Sequence, residues 1–213
     1  RASAQNFSLD ELRQTVVFCH ERGAKVYLTL NTSLYDKELV EAAELIKVSA
    51  NLGIDALIVS DLGVVSLARE ICPDMPLHAS TQMCVQSTEG VLAAKRLGFD
   101  RAVLAREMSR NEISDAVQNG GIETEVFVHG ALCMCVSGQC YLSSLIGGRS
   151  GNRGLCAQPC RLPFAAENGT GHDLSLKDLS LVKNIKELYE IGIDTFKIEG
   201  RMKRPEYVAA AVT

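Results

Sequence analysis

The sequence predicts an α/β protein: a (β/α) TIM-like barrel lacking its first β–α unit, with a cysteine-rich insertion after its fifth strand. Three observations predict it. A punctuation recurs, with Leu52-Gly53-Ile54-Asp55 before ALIVSD, Leu97-Gly98-Phe99-Asp100 before RAVLARE, Ile191-Gly192-Ile193-Asp194 before TFKIEG, and a looser copy, Arg22-Gly23-Ala24-Lys25, before VYLTLN. Each time a helical pattern ends, a glycine stands where a left-handed cap is needed, and a short β-branched run follows. Those runs, such as LIVS and AVLA, are apolar on both faces, which suits parallel strands buried under helices. Their near-even spacing favours a barrel over an open sheet, and no G-x-G-x-x-G follows a strand to suggest a dinucleotide site.

The elements follow in order. Ser8 with Glu11 forms a capping box that opens a helix whose apolar line is Leu12, Val16 and Cys19. A strand is expected near 25–31. After Asp36, the stripe Leu39, Ala43 and Ile46 marks a second helix. A strand near 55–61 precedes a helix with Leu67, Ile71 and Cys72 on its apolar line, and strands follow near 77–82 and 101–107. Ser109 with Glu112 is a second capping box, ahead of a strand near 124–130. Residues 131–168, rich in Cys, Arg and Gly, show little periodicity and read as an insertion; strands near 173–177 and 195–200 complete the set.

With 213 residues and 46% hydrophobic content, a single domain over 1–213 is expected. A full barrel takes about 250 residues. At most seven strands are predicted and the chain opens on a helix, so a further β–α unit is expected ahead of Arg1. No run of about 20 apolar residues exists, and the N-terminus has neither an apolar signal core nor an initiator Met. No membrane partner is expected, and the expected location is cytoplasmic. A net charge of -4 does not favour a general nucleic-acid binder but permits a local basic patch. Nothing in the sequence speaks to oligomeric state.

Four of the eight cysteines carry the chemistry. Cys133, Cys140, Cys156 and Cys160 form a C-x6-C-x15-C-x3-C array, with Cys135 inside it. Four thiolates that converge make a site for zinc or for an iron–sulfur cluster. A four-disulfide scaffold is disfavoured, because such scaffolds are short, secreted and poor in regular structure. Cys19 and Cys72 sit on apolar helical lines and read as packed thiols; Cys84 is ambiguous.

In a barrel, polar residues at strand C-termini face the active site. Here they are Asn31, Asp61, Thr81, Gln82, Arg106, Glu107, His129, Lys177, Asp178, Glu199 and Arg201. Asp61 and Asp178 equally suit helix capping. His129, Glu107, Lys177, Glu199 and Arg201 are the catalytic candidates, although His129 suits a ligand, a base or a structural histidine. Asn31, Asp61, Gln82 and Arg106 are candidates for holding a small anionic or polar substrate. Arg149, Arg153 and Arg161, near the thiols, suit a grip on phosphates or a solvated loop face. Neither H-E-x-x-H nor G-x-S-x-G is present, so ordinary zinc peptidase and serine hydrolase chemistry lack support.

Glu125, Phe127, His129-Gly130-Ala131-Leu132-Cys133 and Ser137-Gly138-Gln139-Cys140-Tyr141-Leu142-Ser143, followed by GGRSGNRGLCAQPCR, resemble the signature of the collagenase-like peptidase family of unassigned catalytic type. RASAQNF, HASTQ, DLSLKDL and FKIEGRMKRPEYVA extend the resemblance over essentially the whole chain. It implies either peptidase activity, as the family name says, or oxygen-independent hydroxylation of an RNA base in tRNA or 23S rRNA, or of ubiquinone precursors. The hydroxylating members hold a [4Fe–4S] cluster on four cysteines, with prephenate implicated as oxygen source. Carried over by position, the ligands are Cys133, Cys140, Cys156 and Cys160, with Cys135 or Cys84 as substitutes. The expected function is RNA-base hydroxylation, with RNA and a small anion such as prephenate as partners. The alternatives are a collagenase-like peptidase and a zinc-stabilised binding barrel. An exposed cluster is lost in air, so a crystal grown in air is expected to lack it.

Overall fold

The computed structural model describes residues 6–169 and 171–213; all but the end of the RASAQNF motif lies outside the described residues. The chain alternates helix and strand: α1 (Leu9–His20), β1 (Tyr27–Leu30), α2 (Leu39–Asn51), β2 (Ala56–Val59), α3 (Leu62–Ile71), β3 (Leu77–Ala79), α4 (Thr88–Arg96), β4 (Arg101–Val103), α5 (Arg110–Gly120) and β5 (Glu123–Gly130). The cysteine-rich segment follows with a short helix, α6 (Leu142–Gly147), and then β6 (Leu179–Ser180), α7 (Ile185–Ile191), β7 (Thr195–Glu199) and α8 (Pro205–Val212).

Strands β1 to β5 pair in sequence order, all parallel, and β7 adds in parallel to β5. Helices cover the outer face, so the curled sheet makes a half-barrel of the TIM type. Among the described residues β1 and β7 do not pair. The core lies between the sheet and its helices, where Ile46, Leu57, Val59, Val64, Leu77 and Val91 are fully enclosed.

The local signals hold where hydrogen bonds enforce them. Both capping boxes form, Ser8 with Glu11 and Ser109 with Glu112. The four punctuation glycines have φ between 70° and 97°. In the three close copies the aspartate that follows does a second task. Asp55 accepts the Val26 N–H at 2.7 Å, Asp100 that of Leu77 at 2.8 Å, and Asp194 that of Thr124 at 2.7 Å. Each carboxylate leads its own strand and caps the start of the neighbouring one, which pins the register between them.

Three expectations are corrected. The segment near 173–177 is not a strand. Its alternating pattern imitates one, but its polar groups serve the cysteine-rich segment: the Asp173 N–H donates to the Phe164 carbonyl, and Arg161 takes both the Ser175 hydroxyl and the Leu176 carbonyl. The strand comes later, as β6, and runs antiparallel to the end of β5. On α2 the buried line is Ala42, Ile46 and Ser49, with Leu39 and Ala43 only half-buried. Ser49 tolerates burial because its hydroxyl donates to the Leu45 carbonyl four residues back. The strand expected over 77–82 also ends early, since the Ser80 hydroxyl accepts the Gln82 N–H and turns Thr81–Met83 into a 3-10 helix.

Candidate functional site

A cavity of about 240 Å³ opens at the C-terminal ends of the strands. Its walls come from two sources. The half-barrel supplies Asn31, Thr81, Gln82, Arg106, Glu199 and Arg201, as the strand-end argument expects. The segment after β5 supplies Cys133, Cys140, Cys156 and Cys160. Cysteines far apart in sequence thus face one space.

That segment is fastened to the barrel rim at several points. Glu107 accepts the Ser137 N–H at 2.9 Å and its hydroxyl at 3.2 Å, and Ser137 is fully buried. Gly138, with φ 73°, lies so close to the Gln82 carbonyl that a Cβ would collide with it. Arg153 forms a two-pronged ion pair with Glu38, at 2.7 and 3.0 Å, donates to the Ser33 carbonyl, and lies over the Tyr35 ring. The guanidinium holds the Glu38 carboxyl down at about 2, with the Tyr35 N–H helping. Arg161, next to Cys160, donates to the Leu132 carbonyl next to Cys133, and so ties the two ends of the thiol set together.

The sequence candidates therefore divide. Asn31, Gln82, Arg106, Glu199 and Arg201 stand at the cavity. Glu107, Arg153 and Arg161 are engaged in holding the segment in place, and Arg149 donates to the Leu155 carbonyl. Asp61 caps α3, accepting the N–H groups of Gly63 and Val64, and also takes that of Leu34. His129 packs its ring against Tyr207, with centroids 5.4 Å apart. Lys177 is exposed in the loop before β6, and Asp178 pairs with Lys203 at 2.6 Å, which holds its carboxyl below the usual range.

Sequence reasoning missed Lys197, Phe127 and Asn152, which also line the cavity. It also missed the ion chain beneath it. Lys197 pairs with Glu125 at 2.5 Å, Glu125 with Arg101 at 3.3 Å, and Arg101 with Glu123 at 2.6 Å. The Glu125 side chain is 4% exposed, so a charge there needs both partners. The available signal was the period of two, which puts Lys197 on the face of Glu199 and Glu125 on that of Phe127.

All eight cysteines are free thiols. Burial pushes the Cys160 thiol up, negative charge on Cys133, Cys156 and Cys140 adds to this, and Arg161 opposes it. Burial also raises the Cys135 thiol, with Cys140 beside it as hydrogen-bond partner. Neither Cys135 nor Cys84 lines the cavity, and burial raises Cys84 too. Among the described residues no three His, Cys, Asp or Glu side chains are drawn together closely enough to hold a metal ion. The four cavity thiols suit a sulfur-ligated metal group in number and chemistry. They stand around the cavity wall, two of them exposed.

Comparisons with known proteins give the chain's family and fold. A family model described as "Peptidase family U32" matches residues 1–213. The chain is 42% identical to the 23S rRNA 5-hydroxycytidine C2501 synthase of Escherichia coli, over 98% of this chain and 32% of that protein. It is 35% identical to tRNA hydroxylation protein P1 of Bacillus subtilis, over 100% of this chain and 54% of that protein. It is 34% identical to a collagenase of Porphyromonas gingivalis, over 97% and 54%. The chain thus spans from about a third to just over half the length of these curated relatives. Among solved structures, the U32 peptidase Mk0906 shares the fold with a TM-score of 0.59 at 14% identity, over 91% of this chain and 76% of that one. No helix among the described residues is long and apolar enough to cross a membrane.

Proposed function

Because the chain belongs to peptidase family U32, we propose that it serves the oxygen-independent hydroxylation of an RNA base, in tRNA or rRNA, and carries an iron–sulfur cluster. The single observation behind this is the common cavity: four thiols from separate turns and the cationic strand ends Arg106, Lys197 and Arg201 face one space. Cys133, Cys140, Cys156 and Cys160 would hold the cluster. When bound, such a cluster exchanges single electrons at the cavity wall. Arg106 would hold a small anionic co-substrate, with prephenate the candidate oxygen source. Arg201, exposed at the mouth, is placed to meet a phosphate of the RNA. The names of the Escherichia coli and Bacillus subtilis relatives favour this chemistry. That of the Porphyromonas gingivalis relative points to proteolysis, for which no hydrogen-bonded thiol–imidazole pair is present among the described residues.

The test is chemical. Protein purified without oxygen should be brown and hold about four iron atoms per chain. Serine in place of any one of Cys133, Cys140, Cys156 or Cys160 should bleach it, while Cys19→Ser and Cys72→Ser should not. Cells lacking the gene should lose one oxygen atom's mass from one specific nucleoside, restored only by a copy with all four cysteines. A colourless protein with one zinc, or metal-free cleavage of gelatin that Cys133→Ala stops, would defeat the proposal.

A further inference from the structure

On α6 the apolar side chains divide. Leu142 lines the cavity, whereas Tyr141, just before the helix, and Leu145 are 57% and 83% exposed. The Leu145 N–H donates to the Tyr141 carbonyl at 3.0 Å, so one helical turn separates the two and their side chains share a face. Ile146 is exposed beside them, and a Cβ at Gly147 or Gly148 would meet nothing within 4 Å, so the end of the helix stands clear of the protein. Single exposed apolar residues are ordinary, but a contiguous group marks a binding surface. Its place is the cavity rim, since Cys140 and Leu142, on either side of Tyr141, both line the cavity.

The surrounding charge selects the partner. Between residues 131 and 166 the chain holds Arg149, Arg153 and Arg161 and no Asp or Glu, although its net charge is -4. Arg153 pairs with Glu38, but Arg149, just past the end of α6, and Arg161 donate to uncharged acceptors. An aromatic face beside cationic side chains suits a nucleic-acid strand, whose bases stack and whose phosphates carry charge. Three side chains fall well short of the roughly 800 Å² per partner that a stable protein interface buries.

We propose that Tyr141 and Leu145 form a platform on which an unpaired base of single-stranded RNA stacks at the cavity rim, with Arg149 against an adjoining phosphate. The platform rests on the RNA reading above and adds the residues that hold the strand. A tyrosine ring offers a flat face to any base, and Leu145 extends that face by one helical turn. Bases within a duplex are closed to it, because their faces are covered by their neighbours in the stack. The platform therefore favours single strands over duplexes, and it holds a nucleotide close to one that enters the cavity. Stacking is an uncharged contact, so its share of the affinity does not depend on salt; the share from Arg149 does.

The probe is a fluorescein-labelled oligocytidine of about a dozen nucleotides, followed by anisotropy across a salt series, with an RNA duplex of equal length as comparison. It is titrated with the 213-residue chain purified without oxygen. The single strand should bind more tightly than the duplex. Tyr141→Ala should weaken it about tenfold at every salt concentration, Leu145→Ala less, and Tyr141→Phe hardly at all. Arg149→Gln should instead make the salt dependence shallower, by about 0.7 in the logarithmic slope. Tyr141 and Leu145 are exposed, so the urea midpoints of their variants should stay at the parent's, which separates lost binding from lost folding. Parental affinity in both alanine variants, an equal loss in Tyr141→Phe, or a duplex bound as tightly as the single strand would overturn the platform and leave the hydroxylation reading in place. So would Tyr141-dependent binding to phosphatidylserine vesicles, or a dimer of the chain that Tyr141→Ala dissolves. A parent that binds no RNA would also overturn the platform, and the hydroxylation reading would then be judged by the nucleoside alone. Should Tyr141→Ala weaken binding as expected while no nucleoside depends on the gene, the platform stands and the hydroxylation reading falls.

Discussion

Beneath the cavity, His78 is the residue whose charge the fold resists most clearly. It is 4% exposed, packs edge-on against Tyr27 with centroids 4.8 Å apart, and faces Arg101 across the strand pair. Burial first, then Arg101, pulls its pKa from 6.5 to about 4, against the opposing pull of Glu125 and Glu123. The folded state therefore binds this proton less readily than the unfolded chain does. Stability from this residue is complete above pH 6.5 and is lost as pH falls towards about 4, below which the loss is finished. The shift corresponds to on the order of 3 kcal/mol at most. Urea unfolding at a series of pH values should show the parent's midpoint falling over this window. His78→Phe, which keeps the ring contact, should flatten that fall. An unchanged slope in the variant would mean that other groups carry the pH dependence. The same scale explains what the signature glycine does: Gly138 lets the cysteine-rich segment touch the Gln82 carbonyl, a contact no other residue fits.

At the scale of elements, the repeated Gly-x-Asp turn is the device that organises the sheet. Asp194 is the clearest case, because Thr124 is fully buried and its N–H and hydroxyl both donate to that carboxylate, at 2.7 and 3.3 Å. Asp194→Ala would leave the Thr124 N–H buried and unpaired, at a cost of about 1–3 kcal/mol. Asp194→Asn, which keeps one acceptor oxygen, should recover part of that loss; comparing their urea midpoints with the parent's checks the assignment. The turns were legible as helix ends because a left-handed cap leaves a glycine. Their second role was not, since sequence does not show which neighbouring strand an aspartate reaches. The strand expected at 173–177 failed for a related reason. Alternation of Leu174 and Leu176 with polar residues specifies a face but not a partner, and Arg161 donates to the Leu176 carbonyl in place of a neighbouring strand. The strand-end rule found Arg106, Glu199 and Arg201, because parallel strands all end on one side. The side chains of Glu107, Asp61 and His129, also at strand ends, reach a loop N–H, a helix start and a tyrosine ring, the capping and structural roles that the sequence left open for the last two.

For the molecule as a whole, the question is how a segment with little regular structure keeps four thiols around one cavity. It has a few helical turns and, among the described residues, contributes no side chain to the hydrophobic core, so its order is borrowed from the half-barrel. The Arg153–Glu38 clasp is a long-range tie, joining the segment to the start of α2. Its side chains are 25% and 30% exposed, so solvent screens the pair and it adds little to global stability. Local order is a different quantity, because the segment opens without unfolding the sheet. Glu38→Gln breaks the charge pairing and leaves the Arg153 contact with the Ser33 carbonyl in place; Arg153→Ala removes both. Neither variant should move the thermal midpoint of the barrel by more than a degree or two, as a small pair in a domain of this size allows. Both should speed chymotrypsin cleavage within residues 131–168 severalfold, with Arg153→Ala the faster, while amide exchange in β2 to β5 stays as in the parent. The clasp is charged at every pH above about 2, so the difference should persist down to the acid limit of the assay. Cleavage at the parental rate in Arg153→Ala would show that Ser137, Gly138 and Arg161 suffice to hold the thiols, and that the clasp is surface decoration.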